Sequence, residues 1–262
     1  MSEKVMLVDS SKCTACRGCQ VACKQWNELP SVATYNAGSY QNPPDLNPHT
    51  YTLIRFQEIE DTNGTLKWIF RNDRCFHCTE PVCQRTCPVP GCIFKTPEGA
   101  VVIDSNKCIG CKYCVYTCPF EIPRFDEITG KVYKCTLCYE RLAEGLTPAC
   151  AKVCPTGTLT FGNRNEMIAK AYDRAAALGG NANVYGDKFV GSTHVMYVLD
   201  ELPSLYAKLP QRPTINTSVV FWKDMLKPLS LVSFWGTVAA TFLYYLTKGP
   251  KVPERKGDDK HE

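Results

Sequence analysis

The sequence lacks the patterns that identify several common classes of protein. Charged residues make up only 21% of the 262 residues, and the formal net charge is +4. With no long block of like charge, this composition favours neither a nucleic acid partner nor wholesale disorder. The nucleotide-binding glycine fingerprint, the phosphate-binding loop and the H-E-x-x-H zinc motif are all missing. The start, Met1-Ser2-Glu3-Lys4, carries an acid and has no apolar run behind it, so a signal peptide is not expected.

Cysteine is the residue that the sequence has in excess. There are 17, an odd number in a chain far longer than small disulfide-stapled domains, so a disulfide scaffold is not favoured. Sixteen fall into four groups: Cys13, Cys16, Cys19 and Cys23; Cys75, Cys78, Cys83 and Cys87; Cys108, Cys111, Cys114 and Cys118; and Cys135, Cys138, Cys150 and Cys154. Three groups end in Cys-Pro, at Pro88, Pro119 and Pro155, as in the cysteine run of bacterial ferredoxins.

This spacing predicts [4Fe–4S] clusters. Gaps of two residues let one tight loop present three thiolates to one cluster, while the fourth thiolate reaches a neighbouring cluster. Zinc is the alternative, but three thiolates within seven residues followed by Cys-Pro do not suit one tetrahedral ion. The seventeenth cysteine, Cys92, is expected to be a small buried apolar residue and not a ligand.

Each cysteine group follows a short apolar segment and one basic residue. Residues 5–13 and 100–108 are two copies of a strand, a turn and a cysteine loop, and residues 68–70 and 132–133 are weaker copies. The basic residues directly before the groups are Lys12, Arg74, Lys107 and Lys134. They could stabilise reduced, negatively charged clusters or could be solvated turn residues, and the sequence leaves both interpretations open. Further on, the pattern predicts a helix over residues 166–178, ended by Gly179-Gly180.

A candidate membrane span lies near the C-terminus. Residues 228–247 carry no charge, and a helix of that length spans about 30 Å, the thickness of a bilayer core. Trp222, Tyr244 and Tyr245 are placed to lie at the two interfaces. The alternative is a buried helix of a soluble domain, which the hydroxyl residues of this stretch keep open. We predict a single span, whose small and hydroxyl residues suit packing against another membrane helix.

The chain resembles the iron–sulfur (beta) subunit of membrane-bound formate dehydrogenases over nearly its whole length. Besides the cysteine groups, the resemblance lies in residues 20–27, 38–46, 150–167 and 183–186, in His194-Val195 and in the terminal anchor. The cysteine groups alone would fit many four-cluster subunits. The intervening segments are what indicate formate dehydrogenase.

The resemblance implies an α+β fold of two nested ferredoxin-like modules, followed by a single C-terminal transmembrane helix. It assigns Cys13, Cys16, Cys19 and Cys154 to cluster 1; Cys75, Cys78, Cys83 and Cys118 to cluster 2; Cys87, Cys108, Cys111 and Cys114 to cluster 3; and Cys23, Cys135, Cys138 and Cys150 to cluster 4. Spacing alone leaves consecutive pairing open, because the gap from Cys118 to Cys135 is as ferredoxin-like as that from Cys87 to Cys108.

The expected organisation of the chain follows from these assignments. The first module is discontinuous, and the second is inserted within it. The predicted segments are 1–30 with 120–165 (first module), 31–65 (insertion loop), 66–119 (second module), 166–220 (partner-contacting segment), 221–248 (transmembrane anchor) and 249–262 (polar tail).

The function that the resemblance implies is electron transfer by a subunit that is not itself catalytic. Electrons from formate oxidation at a molybdenum or tungsten catalytic (alpha) subunit would pass through four [4Fe–4S] clusters to a membrane cytochrome b (gamma) subunit and quinone. The cluster domain is expected on the periplasmic side of the cytoplasmic membrane, with no nucleic acid partner. One alternative is the equivalent subunit of a dimethyl sulfoxide, polysulfide or thiosulfate reductase or of a hydrogenase. Another is a cysteine-rich metal scaffold without redox function.

Overall fold

The computed structural model of the chain describes residues 3–36, 38–60, 64–215 and 221–249. The chain divides into two compact units, Met1–Asn216 and Thr217–Glu262. All sixteen grouped cysteines lie in the first unit, and the candidate membrane helix lies in the second. Of the predicted polar tail, residues 250–262 lie outside the described residues.

Helices and strands alternate along the first unit in short elements. The helices are α1 Gly18–Trp26, α2 Val82–Thr86, α3 Tyr113–Thr117, α4 Tyr139–Ala143, α5 Ala149–Lys152 and α6 Arg164–Leu178. The strands are β1 Lys4–Asp9, β2 Leu53–Glu60, β3 Leu66–Asp73, β4 Ile93–Lys95, β5 Val101–Ile103, β6 Arg124–Asp126, β7 Lys131–Tyr133, β8 Leu159–Asn163, β9 Asn183–Tyr185 and β10 Val195–Leu199. A mixed helix and strand fold is therefore confirmed, with each predicted strand–turn–cysteine loop present.

A four-stranded sheet in the order β8-β1-β10-β9 forms the centre of the first unit. Strand β1 pairs antiparallel with β8 and parallel with β10, so that Met6 lies between Phe161 and Val195. The apolar runs of β1 and β10 are buried, as expected for strands covered on both faces. Helix α6 covers one face through Ala171 and Ala175, and it ends at Gly179, whose φ of 65° few other residues adopt.

Part of the predicted partner-contacting segment, residues 166–220, is built into the central sheet. Strand β10 is wholly buried beside β1, and β9 pairs with β10 at the edge of the same sheet. The side chains of β10 are covered on both faces of the sheet by other residues of the first unit. Residues 195–199 are therefore core of the cluster-bearing unit.

The predicted insertion loop over residues 31–65 also contains regular structure. Strand β2 pairs antiparallel with β3 over eight residues, from Leu53 opposite Asp73 to Glu60 opposite Leu66. Arg55 anchors the hairpin, since its Nε contacts Asp73 Oδ2 at 2.5 Å and its Nη2 contacts Asp45 Oδ1 at 2.5 Å. Asp45 also binds Arg124 and thereby ties this segment to strand β6.

The second unit contains one long helix, α7, Lys227–Lys248, which follows a π-helical turn at Trp222–Leu226. Among the described residues it is the one helix long and apolar enough to cross a membrane, and none of its residues is buried. The hydroxyls of Ser230, Thr237 and Thr241 each donate to a backbone carbonyl three or four residues earlier. These bonds satisfy the polar side chains within the helix and remove the main objection to a membrane span.

Candidate iron–sulfur sites

The four cysteine loops share one backbone feature. The residue directly before the second cysteine of each group has a positive φ: Ala15 at 53°, His77 at 48°, Gly110 at 68° and Leu137 at 57°. Three of these are not glycine, so the left-handed conformation is unfavourable and must be held by the surrounding structure. In each group this turn stands between the first and the second cysteine.

The same turn directs backbone N–H groups at sulfur. The amides of His77 and Leu137 donate to the Sγ atoms of Cys75 and Cys135, both at 3.4 Å. Hydrogen bonds to the sulfurs are one of the features that set the reduction potential of an iron–sulfur cluster. The loops therefore supply donors as well as ligands.

We refer to the four sets of cysteines predicted for clusters 1 to 4 as quartets. We number these quartets 1 to 4 in the same way. All four members of quartet 1, Cys13, Cys16, Cys19 and Cys154, line one cavity. Asn72 lines it too and donates from Nδ2 to Cys19 Sγ at 3.3 Å. Quartet 1 thus joins the first loop to a cysteine from the end of the fourth group.

Quartet 4 is the most deeply buried, with Cys23, Cys135, Cys138 and Cys150 all inaccessible to solvent. Burial, followed by the charges of the Cys135 and Cys150 thiolates, raises the pKa of Cys23 well above its ordinary value. Cys135 behaves in the opposite way. Although burial opposes ionisation, the charge and hydrogen bond of Arg74 lower the pKa of Cys135.

Quartets 2 and 3 involve the second and third cysteine groups. Burial raises the pKa of Cys78 well above its ordinary value, and the neighbouring thiolates of Cys75, Cys118 and Cys83 add to it. For quartet 3, burial and the thiolates of Cys108, Cys111 and Cys87 raise the pKa of Cys114 to about 12. Iron binds the thiolate form of cysteine, so iron binding displaces the protons of these thiols.

The donor set fits cubane clusters better than single ions. Within the described ranges, no three His, Cys, Asp or Glu side chains converge closely enough to hold one metal ion. A cubane is larger than an ion and takes its four thiolates at separate corners, as the quartets offer them. Sulfur is the only side-chain donor that all four quartets have in common, which suits iron–sulfur chemistry.

Consecutive quartets adjoin one another in the order 1, 4, 2, 3. Burial and then the thiolate of Cys150 in quartet 4 raise the pKa of Cys19 in quartet 1. Burial raises the pKa of Cys75 in quartet 2, and the charge of Cys135 in quartet 4 adds to that shift. Cys114 of quartet 3 likewise contributes to the raised pKa of Cys83 in quartet 2, after burial and the quartet's own members. The quartets therefore form a linear series.

Cys92 is buried, as the sequence predicts, but it lies closer to a quartet than expected. It packs with Ile93, Val101 and Val132 and with the half-buried Cys87 and Cys108 of quartet 3. Its thiol points to Asp104 O at 3.8 Å. Spacing gave no sign of this position, since Cys92 belongs to none of the four runs.

The four basic residues that precede the groups divide into two pairs. Lys12 and Lys107 are solvent-exposed and pair with Asp9 at 3.4 Å and Asp104 at 3.5 Å. Arg74 and Lys134 are buried, with 1% and 5% of their surface exposed. The interpretation as solvated turn residues therefore suits Lys12 and Lys107 but not Arg74 and Lys134, and the local pattern gave no signal for this division.

Comparison with known proteins identifies the chain's relatives. Two models described as "4Fe-4S dicluster domain" match residues 12–92 and 66–164, and a model described as "Formate dehydrogenase N, transmembrane" matches residues 215–258. The dicluster matches and the 17 cysteines fit four [4Fe–4S] clusters. The third match includes α7, which supports its assignment as a membrane anchor.

Full-length relatives carry the same description. The formate dehydrogenase iron-sulfur subunit of Haemophilus influenzae is 46% identical, covering 99% of this chain and 85% of the relative. In Escherichia coli, the formate dehydrogenase-O iron-sulfur subunit is 42% identical over 99% of this chain and 88% of the relative. The nitrate-inducible formate dehydrogenase iron-sulfur subunit of the same organism is 44% identical over 100% of this chain and 91% of the relative. The chain therefore belongs to the family of formate dehydrogenase iron–sulfur subunits.

Proposed function

We propose that this chain transfers electrons within a formate dehydrogenase complex, holding one [4Fe–4S] cluster in each of the four quartets. A cluster, when bound, supplies a one-electron redox centre. The chain's contribution is to hold four such centres in series and to shield quartet 4 from water. The observation that supports this most strongly is the adjacency of the quartets in the order 1, 4, 2, 3.

The ends of the series are the natural points for electron entry and exit. Quartet 1 contains the exposed Cys16 and quartet 3 contains the exposed Cys111, whereas every cysteine of quartet 4 is buried. A partner's redox centre can approach closely only where a quartet reaches the surface. The two end quartets therefore serve partners, and the two middle quartets connect them.

The partners that complete this function are a molybdenum or tungsten catalytic subunit and a membrane cytochrome b. Electrons taken from formate enter this chain, which contains no catalytic residue of its own, and leave to cytochrome b and then quinone. The family assignment supports the first partner, and the membrane anchor supports the second. Whether the metal is molybdenum or tungsten does not change the role of this chain.

Formate itself is the test of this role. In the anaerobically purified complex, we expect formate to bleach the visible absorbance and to produce paramagnetic signals from this chain's clusters. Dithionite serves as the control, because it reduces redox-active clusters regardless of the substrate. A complex that dithionite reduces but formate does not, while nitrate, polysulfide or hydrogen is turned over, would contradict the assignment to formate. Failure of dithionite to change the spectrum would indicate a scaffold without redox function.

We further propose that the cluster-bearing unit lies on the periplasmic side of the cytoplasmic membrane. Clusters are assembled in the cytoplasm, so the unit would be exported folded together with its catalytic partner. Protease added to intact spheroplasts is then expected to degrade the cluster-bearing unit. Protection in intact spheroplasts, with cleavage only after lysis, would instead indicate a cytoplasm-facing complex.

A further inference from the structure

Two buried cations lie where quartet 4 meets quartet 2, and neither has a carboxylate partner. In the part of the chain that the structure describes, the buried Arg55 and Arg71 form ion pairs with aspartates. Arg74 and Lys134 form no ion pair with a carboxylate there. Burying a charged group without a counter-charge is strongly unfavourable. The counter-charge of Arg74 and Lys134 must therefore come from the cysteine quartets.

Arg74 joins the two quartets through its backbone and its side chain. It directly precedes Cys75, the first member of quartet 2, but its guanidinium reaches into quartet 4. Nη1 donates to Cys150 Sγ at 3.1 Å, and Nη2 donates to Cys135 Sγ at 3.2 Å. Nε has no hydrogen-bond partner, so most of this buried group's polar contact is with sulfur.

Lys134 has the reciprocal arrangement. It directly precedes Cys135 of quartet 4, and its Nζ donates to Cys135 O at 3.1 Å and to Val101 O. Burial opposes its charge, but the thiolates of Cys75, Cys83 and Cys118 in quartet 2, together with that of Cys135, raise the pKa of Lys134. The buried ammonium of Lys134 therefore lies at Cys135 of quartet 4, with three thiolates of quartet 2 in its surroundings.

A third titratable group at this junction adds no charge. His77, in the loop of quartet 2, is buried, and its Nδ1 accepts the Val101 N–H at 2.9 Å. A ring nitrogen that accepts a hydrogen bond carries no proton, so the His77 imidazole is neutral. The net charge of the junction is thus set by the arginine and the lysine.

We infer that Arg74 and Lys134 form a cationic junction that raises the reduction potentials of the two middle clusters, Arg74 acting on cluster 4 and Lys134 on cluster 2. The inference rests on the proposed assignment of clusters to quartets. A fixed positive charge stabilises the reduced, more negative state of a cluster, and hydrogen bonds to its sulfurs act in the same direction. The two cations thereby keep the two middle clusters reducible, including cluster 4, whose cysteines are all buried.

Midpoint potentials of the assembled complex test this inference. Electron paramagnetic resonance during a redox titration follows each cluster, and the signals are assigned by their loss in Cys138→Ser (quartet 4) and Cys78→Ser (quartet 2). We expect Arg74→Gln to shift the reduction equilibrium of cluster 4 toward the oxidised form by about tenfold, which is about 59 mV for a one-electron couple. Lys134→Gln is expected to do the same to cluster 2.

Lys12→Gln and Lys107→Gln are matched controls, because those residues occupy the same sequence position but are solvent-exposed and paired with acids. In these two variants, the midpoint potentials of clusters 2 and 4 should stay at the wild-type values. Unchanged midpoints in both Arg74→Gln and Lys134→Gln, at the full content of about sixteen irons, would overturn the junction and leave the four-cluster assignment intact. Wild-type complex that binds fewer irons would instead defeat the assignment itself.

Arg74→Lys is the second variant, for the case that Arg74→Gln fails to assemble. It keeps the positive charge but loses the forked pair of donors. If Arg74→Gln loses iron, retention of the full iron content in Arg74→Lys supports the role of charge. Loss of cluster 4 in Arg74→Lys as well would show that the shape of arginine is what the site requires, and the inference would fall.

Discussion

Replacing Cys154 with serine should abolish the same paramagnetic signal as replacing Cys16. Both cysteines line the cavity of quartet 1, although they come from the first and the last cysteine groups. Cys23→Ser should abolish a different signal, shared with Cys138→Ser, because burial and the neighbouring thiolates place these two in quartet 4. Each variant is expected to lose up to about four of about sixteen irons. Iron and sulfide analysis, together with the spectra, measures both effects.

Cys92→Ser is the matched control for these variants. Cys92 is as buried as Cys23 and Cys138 and adjoins quartet 3, so its replacement tests general disturbance of the fold. All four signals should survive. Under consecutive pairing, by contrast, Cys154 would share a cluster with Cys111. Loss of the same signal in Cys154→Ser and Cys111→Ser would therefore contradict the nested arrangement.

Truncation after Asn216 should separate formate oxidation from quinone reduction. It leaves the first compact unit complete, including the buried Tyr206 and Leu209, and removes the helix α7. Formate oxidation with an artificial dye should persist, since the catalytic subunit and the quartets are untouched. Formate-dependent quinone reduction should be almost abolished, because the complex loses its anchor beside the cytochrome. Membrane fractions and the soluble fraction, assayed with both acceptors, give the measurement.

A second variant distinguishes anchoring from specific contact. Residues 217–262 are replaced by an unrelated single-span helix of the same length, which restores attachment to the bilayer but not the surface of α7. Recovery of quinone reduction would show that attachment is enough. Recovery of membrane binding without quinone reduction would show that α7 itself contacts the cytochrome. Full quinone reduction by the truncated chain would contradict a role for α7 in electron delivery.

The strands that carry the cysteine loops could be predicted from the sequence, but their partners could not. The apolar run before Cys13 indicates β1, and the helical periodicity ended by Gly179 indicates α6. Strand β10 is a similar apolar run, yet nothing local shows that it pairs parallel with β1. The alternation of apolar and polar residues in Leu53–Glu60 is interrupted by Arg55, which is charged but buried. Its partners Asp73 and Asp45 are distant in sequence. Contacts between residues distant in sequence fix the partner of β10 and explain the buried Arg55 in β2.

The site shows the same division. The ferredoxin spacing is local and fixes which cysteines belong to one loop, so the four groups could be identified directly. The quartets combine cysteines from different groups, and the sequence alone left two ways to combine them. The basic residues illustrate the limit most clearly. Lys107 and Lys134 each directly precede the first cysteine of a group, yet one is 56% exposed in its side chain and the other is buried.

The parallel pairing of β1 with β10 has a consequence for the order in which the protein is made. The first strand to leave the ribosome must wait for residues 195–199 before its sheet is complete, and its cysteine loop must wait for Cys154. Quartet 3 comes from a shorter stretch of chain, residues 87–114, and can close earlier. Because contacts distant in sequence form slowly, the inner part should fold first and the chain's ends last. Insertion of the cluster at quartet 1 is thereby delayed until the cluster-bearing unit has been almost fully synthesised.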